Sequence, residues 1–252
     1  MSEGARLWTG RAVLLAALLA IWQLGGTFVS ERWISSPTAI VGRLADWLAR
    51  DLFLHLGVTL AEIAAGLAIG VPLGILTGVT LGRLRNVSAV LRPFVVVMNS
   101  LPIVALAPLL IMWFGIGMLP KIVLVAFVSF LLLFFNTFAG ARAVDEEQLD
   151  ALTLMGASGV ERFRKVVLPG CTAWIMAGLK NAVPYALIGA VIGEMMVSRA
   201  GLGHLVSRAG QQFDMTGIYA GLFVLMILGS VLNEAISLAE RHLLRWRGPH
   251  GA

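Results

Sequence analysis

Charge is scarce in this sequence. Of its 252 residues, 13% are Asp, Glu, Lys or Arg, while 58% are apolar. Soluble domains run at about 25% charged and about 45–50% apolar, so the composition excludes an ordinary aqueous fold and points to a chain solvated by lipid. Cysteine is scarcer still. Cys171 stands alone, which rules out an internal disulfide and leaves the compartment open. No G-x-x-x-x-G-K-[ST] run occurs, so the chain has no P-loop for nucleotide phosphates. No H-E-x-x-H occurs and the four histidines are scattered, which removes a helical zinc-hydrolase site. "GASGV" at 156–160 carries valine where the nucleophile-elbow pattern G-x-S-x-G needs its last glycine. The net charge of +5 could suit nucleic acid, but the arginines are spread between apolar runs instead of gathered in a patch. That is the distribution of positive flanks on membrane helices, and no nucleic-acid partner is expected.

Long apolar stretches take the place of what is missing. A spanning helix needs about 20 mostly apolar residues. Six are predicted, at 12–29, 54–81, 88–114, 119–140, 171–195 and 217–239, within a single membrane domain covering 1–252. The first resembles a secretory signal, with Arg6 and Arg11 before an apolar core, but no small-x-small cleavage site follows and a retained helix is expected. "SSPTAIVGRLADWLARDL", residues 35–52, predicts an amphipathic surface helix that starts at Ser36-Pro37. With connections alternating between sides, twelve Lys and Arg fall on one side and six on the other, and Lys180 falls inside a span. The positive-inside rule then places both termini and the segment 143–169 in the cytoplasm.

Within the spans three features stand out. Glycines recur at 66, 70, 74, 78 and 82, a spacing that opens a groove for another helix, either as a gating surface or as plain packing. Pro72 should kink that span. Pro93, Pro102 and Pro108, with Asn99-Ser100 beside them, predict a broken third span that either lines a cavity or merely bends. Ionisable groups inside a membrane are candidates for the transport path. Counting ~1.5 Å per residue, Lys180 and Glu62 reach similar depth near the middle of a core ~30 Å thick. They would form a charge pair or an anion contact, or else a structural pair with Lys180 snorkelling to the cytoplasm. Asn99 and Glu194 complete the candidate path, although Glu194 could equally be an interfacial charge.

The segment 143–169 is punctuated differently from everything around it. Asp145 with Gln148 reads as a capping box, and Asp145, Glu146 and Glu147 suit the positive end of a helix. Leu149, Leu152 and Met155 would line one face of that helix. Gly156 is placed to end it in a left-handed turn. Ser158 and Glu161 form a second capping box, and the second helix should stop at Leu168-Pro169. Two short helices around a glycine, with an exposed leucine face, call for a partner groove.

The spacing D-A-L-x3-G-x9-V-x-L-P resembles the EAA motif of ABC-importer permeases, E-A-A-x3-G-x9-I-x-L-P. Asp150, Ala151, Gly156, Val166, Leu168 and Pro169 match in identity or type, and Leu152 departs from the second alanine. "SPTAIVGRL", "NSLPIVALAPLLIMWFGIG", "NTFAGARAVDEEQLDALTLMGAS", "AVPYALIGAVIGEM" and "GLGHLV" resemble the nitrate/sulfonate/taurine/bicarbonate permeases over nearly the whole chain. The resemblance implies an all-α membrane protein of the type I ABC importer fold, six spans with a cytoplasmic coupling helix pair, set as a homodimer in a bacterial inner membrane. It implies two separate ATPase subunits that hold ATP and magnesium, a periplasmic or lipid-anchored substrate-binding protein, and no catalysis or cofactor in this chain. The implied cargo is a small anionic solute, nitrate-, sulfonate- or taurine-like. Two alternatives stand beside it: a stand-alone channel or secondary carrier, although no inverted repeat is visible, and an assembly subunit that docks an ATPase without moving cargo.

Overall fold

The computed structural model describes residues 3–28, 33–99 and 102–243, and among them all regular structure is helical. The helices are α1 (Glu3–Phe28), α2 (Pro37–Ala49), α3 (Leu52–Arg83), α4 (Arg85–Asn99), α5 (Ala107–Phe114), α6 (Leu119–Arg142), α7 (Glu146–Leu154), α8 (Gly159–Arg162), α9 (Leu168–Val197), α10 (Leu202–Gln211) and α11 (Met215–Leu243). Among the described residues, five stretches are long and apolar enough to cross a membrane: Leu7–Phe28, Leu52–Arg83, Leu119–Arg142, Gly159–Val197 and Met215–His242.

One expectation is met and another corrected. The stretch 88–114 is not one helix, in keeping with the break that its prolines predict. It divides into α4, a 3-10 turn over Ile103–Leu106, and α5. Pro102 stands directly before the 3-10 turn and Pro108 lies in the first turn of α5, where a missing N–H forfeits no helical bond. The chain also does not stop at Leu168-Pro169. It widens into a π turn over Phe163–Val167 and runs on into α9. The Leu168 N–H bonds to the Phe163 carbonyl, five residues back, and the wider turn accommodates the ring of Pro169.

The chain divides into two compact units, Met1–Val58 with Glu194–Ile227, and Thr59–Gly193 with Leu228–Ala252. In the first, the Ser36 hydroxyl caps α2 by accepting from the Ala39 N–H, and Pro37 opens the helix. The Gln23 amide reaches Thr38 at 3.1 Å, and Ser35 meets Thr216 at 2.8 Å. Trp22 stacks on Phe223 and tilts against Tyr219, joining α1 to the start of α11. α10 buries Leu202, Leu205, Val206 and Ala209 along one face and leaves Arg208 outside.

In the second unit α6 is the hub. Five of the six glycines of α3 face it, Gly57 being the exception. A Cβ built on Gly66, Gly70, Gly74, Gly78 or Gly82 would overlap Val125, Ala126, Leu133, Phe134 or Ala141 in turn. Both lists ascend, so α3 and α6 run in parallel at nearly backbone contact, the approach that small residues permit in lipid. On α9 the order is reversed: Gly193 meets Lys121, Gly178 meets Asn136, and Trp174 covers Gly140. α9 is therefore antiparallel to α6. α11 in turn lies antiparallel to α9, with Gly229 at Leu187 and Glu240 at Lys180.

Candidate functional site

The polar turn between α6 and α9 is built from local rules. Asp145 caps α7 by accepting from the Glu147 N–H at 2.9 Å, in place of the box with Gln148. Glu146 and Glu147 sit in the first turn, favourable for the helix dipole. At the other end the Gly156 N–H bonds to the Thr153 carbonyl and the Ala157 N–H to the Leu152 carbonyl. This pair of bonds is the Schellman arrangement, and it needs a left-handed residue between helix and exit. Gly156 supplies it with φ +81°. Ser158 and Glu161 then close a capping box in both directions. The Ser158 amide and hydroxyl donate to Glu161 Oε2, and Lys165 donates to its Oε1. Arg162 crosses back to the Thr153 hydroxyl at 2.9 Å and ties the two helices together.

One side of this turn is anchored. Leu149 and Val167 are buried with Val79, Ala141, Val144 and Cys171. The other side presents apolar residues to the outside: Leu154 is 90% exposed, Met155 81% and Val160 67%. The expected face of Leu149, Leu152 and Met155 is thus corrected. Leu149 points inward, Leu152 is half-buried, and Met155 lies past the last helical residue, so periodicity no longer governs it. Asp150 is exposed on a groove that it shares with Arg83, Glu146, Arg162 and Phe163. Ala151 and Leu168 are exposed, whereas Val166 and Pro169 are half-buried. The motif spacing did not single out Val167, Arg162 or Thr153. The buried anchor falls one residue after Val166 because the π turn advances the register.

The membrane charges pair differently from the expectation. Glu62, fully buried on α3, bonds Lys121 in the first turn of α6, and Lys121 is itself 3% exposed. Gly193 makes room for the lysine stem, because a Cβ there would lie 2.7 Å from Lys121 Cγ. Lys180 bonds Glu240 near the end of α11, and that pair is partly exposed. The proposed Glu62–Lys180 pair is therefore overturned: each residue already has another partner. Helix depth alone misled, since it says nothing about which face of a helix a residue occupies. Lys121 sits just behind Pro120, where it reads as a flank, and Glu240 lies one residue beyond the expected end of the last span. The Asn136 amide donates to the Leu132 carbonyl of its own helix. Asn99 ends α4 in the structure, its side chain lies outside the described part, and Ser100 lies outside the described residues.

Glu194 has a cap to hold. Its Oε2 accepts from the Gly203 N–H at 2.7 Å, which sets a buried carboxylate at the start of α10. Gly201 has φ +117°, and a Cβ on it would lie 2.2 Å from the Glu194 carboxyl carbon. The Gly201 N–H donates to His55 Nδ1 at 2.9 Å. No group of three or more metal-ligating side chains occurs among the described residues.

Comparison with known proteins places this architecture. Residues 70–247 match the family described as binding-protein-dependent transport system inner membrane component. The formylaminopyrimidine transport permease protein ThiX of Halalkalibacterium halodurans is 32% identical over 231 residues, covering 91% of this chain and 92% of the relative. The putative aliphatic sulfonates transport permease protein SsuC of Bacillus subtilis is 30% identical over 246 residues, covering 96% and 89%. Among solved structures, the inward-facing MetNI methionine ABC transporter superposes with a TM-score of 0.60 at 22% identity, over 79% of this chain and 97% of that one. An all-helical, multi-pass chain with this family match and these relatives belongs to the binding-protein-dependent transport system inner membrane components, the permeases of ABC transporters.

Proposed function

We propose that this chain is the membrane subunit of an ATP-driven importer, and that the turn α7–α8 is the lever by which separate ATPase subunits drive it. The observation that carries the reading is a rigid polar turn, braced by a Schellman exit, a capping box and the Arg162–Thr153 bond, that displays Leu154, Met155 and Val160 to the outside. Exposed apolar side chains on a turn so strongly fixed suit a preformed protein groove. Anchored by Leu149 and Val167, the turn can pass a displacement of its tip into α6 and α9. Asp150, Ala151, Leu152, Gly156, Val166, Leu168 and Pro169 are the residues of this lever.

Six crossings fit this reading. α3 and α6 run parallel, so the chain has to return across the membrane between them, and α4, the 3-10 turn and α5 are the segment available for it. Both termini and the α7–α8 turn then lie in the cytoplasm, with two copies of the chain enclosing the path and a binding protein delivering cargo from outside. ATP and magnesium belong to the ATPase. Glu62 and Lys180 serve the path through their ion pairs with Lys121 and Glu240 and not through each other. The relatives' names support a small polar solute as the cargo, with an aliphatic sulfonate and a formylaminopyrimidine as the first to try.

The test is Gly156→Val. A β-branched residue at φ +81° cannot keep the Schellman exit, so the two short helices lose alignment while the membrane helices are untouched. The variant should insert and purify as wild type, yet retain less than about a tenth of the ATPase subunit or of coupled hydrolysis, a loss of about 1.4 kcal/mol or more. Wild-type retention and coupling in that variant would refute the lever.

A further inference from the structure

We infer that the groove between α2 and α10, together with Phe213 between its lining residues Gln212 and Asp214, is the surface that receives the cargo-loaded binding protein. The inference rests on the importer reading above. Counted along the sequence, the segments 35–52 and 199–214 fall on the side opposite to 143–169, so in that reading this groove opens on the outer face, where a binding protein arrives.

The groove has a volume of about 280 Å³, and six of its lining residues are charged: Arg43, Asp46, Arg50, Asp51, Arg208 and Asp214. Two of these are used internally, because Arg43 bonds Asp214 at 2.5 Å. Asp51 stands 3.6 Å from His55 Nε2. Arg50, Arg208 and Asp46 are exposed and form no ion pair among the described residues. One groove thus offers two guanidinium groups and a carboxylate that form no ion pair among the described residues. A lipid phosphate would be drawn to the arginines but would meet Asp46 and Asp51 beside them. A folded protein can answer both signs, with carboxylates toward Arg50 and Arg208 and a lysine or arginine toward Asp46.

Phe213 supplies an independent observation. The exit of α10 repeats the bond pattern of α7: the Phe213 N–H bonds to the Gly210 carbonyl and the Asp214 N–H to the Ala209 carbonyl. The left-handed position, filled by Gly156 in α7, is filled here by phenylalanine with φ +54°. A bulky side chain is disfavoured in that conformation, and glycine is the usual occupant. The ring recovers nothing by burial in this chain, since Phe213 is 81% exposed. A strained backbone that holds an aromatic ring outward, between Gln212 and Asp214 of the groove lining, has the composition of an interface hot spot.

The experiment uses the complete transporter, this chain with its ATPase, in nanodiscs of phosphatidylcholine. ATP hydrolysis is recorded as the cognate binding protein, loaded with cargo, is titrated in. Phe213→Gly should raise the half-saturating concentration at least tenfold while basal hydrolysis is kept and thermal stability is equal or higher, because glycine relieves the turn. Arg50→Glu with Arg208→Glu should do the same and flatten the dependence on salt. Wild-type half-saturation in both variants, with the wild type responding normally, overturns the surface and leaves the importer reading intact. A defect seen only when anionic lipid is present assigns the groove to lipid and also overturns it. A wild-type transporter that fails to respond to the binding protein at any concentration overturns the importer reading, and the surface with it.

Discussion

Gly70→Leu should separate α3 from α6, while Gly57→Leu on the same helix should be tolerated. A Cβ on Gly70 falls 2.3 Å from the Ala126 carbonyl oxygen and 3.0 Å from the Phe130 nitrogen, so the obstruction is backbone and cannot rotate away. A Cβ on Gly57 meets nothing within 4 Å. Overpacking of a core costs about 1–3 kcal/mol where side chains can yield, and here two whole helices must part, so about 3 kcal/mol or more is expected. In lipid no hydrophobic gain offsets that separation, because the acyl chains are as apolar as the helix faces. Heating each purified variant in detergent and measuring the protein that stays monodisperse checks the contrast. Equal midpoints for the two leucine variants would show that the glycine row is not an interface.

Lys121→Met should be the most damaging single charge removal in the chain. It leaves Glu62, buried on α3, without its cation, and losing one partner of a buried pair costs about 3–5 kcal/mol. Adding Glu62→Gln should recover much of the loss, since the orphan charge is then gone. Lys180→Met is the counterpart. Its pair with Glu240 is partly exposed, with side chains 40% and 26% accessible, and water shares the load. It should cost no more than about 1 kcal/mol. A double-mutant cycle read by thermal unfolding gives the Glu62–Lys121 coupling directly. A coupling near zero would mean that the pair contributes nothing to the fold.

These two sites show what the sequence made legible. Gly156, the Ser158–Glu161 box and the Ser36-Pro37 start of α2 are local devices, in which residue type and backbone need coincide, and each appears where its pattern predicts. The glycine row at 66–82 was equally plain as a packing face, although its partner could not be named from spacing alone. α6 became identifiable as the partner only through the tertiary register. The membrane charges failed for the same reason. Depth along a span fixes one coordinate, but pairing also needs the rotation of each helix, and Glu62 faces α6 instead of α9. The Leu168-Pro169 stop was overridden by the π turn, a backbone adjustment that leaves no mark in hydrophobic periodicity. Phe213 was invisible because the left-handed slot at the end of α10 ordinarily announces itself by glycine.

The central claim is that this chain moves cargo only when an ATPase works on its α7–α8 turn. The most direct measurement is uptake into proteoliposomes that hold this chain, with and without its ATPase subunit, supplied with loaded binding protein and a labelled aliphatic sulfonate or formylaminopyrimidine. Uptake that requires the ATPase and ATP together, and that falls to background with Gly156→Val, is the predicted result. Uptake by this chain alone, unchanged when the ATPase and ATP are left out, would contradict the account and make the protein a stand-alone channel or carrier.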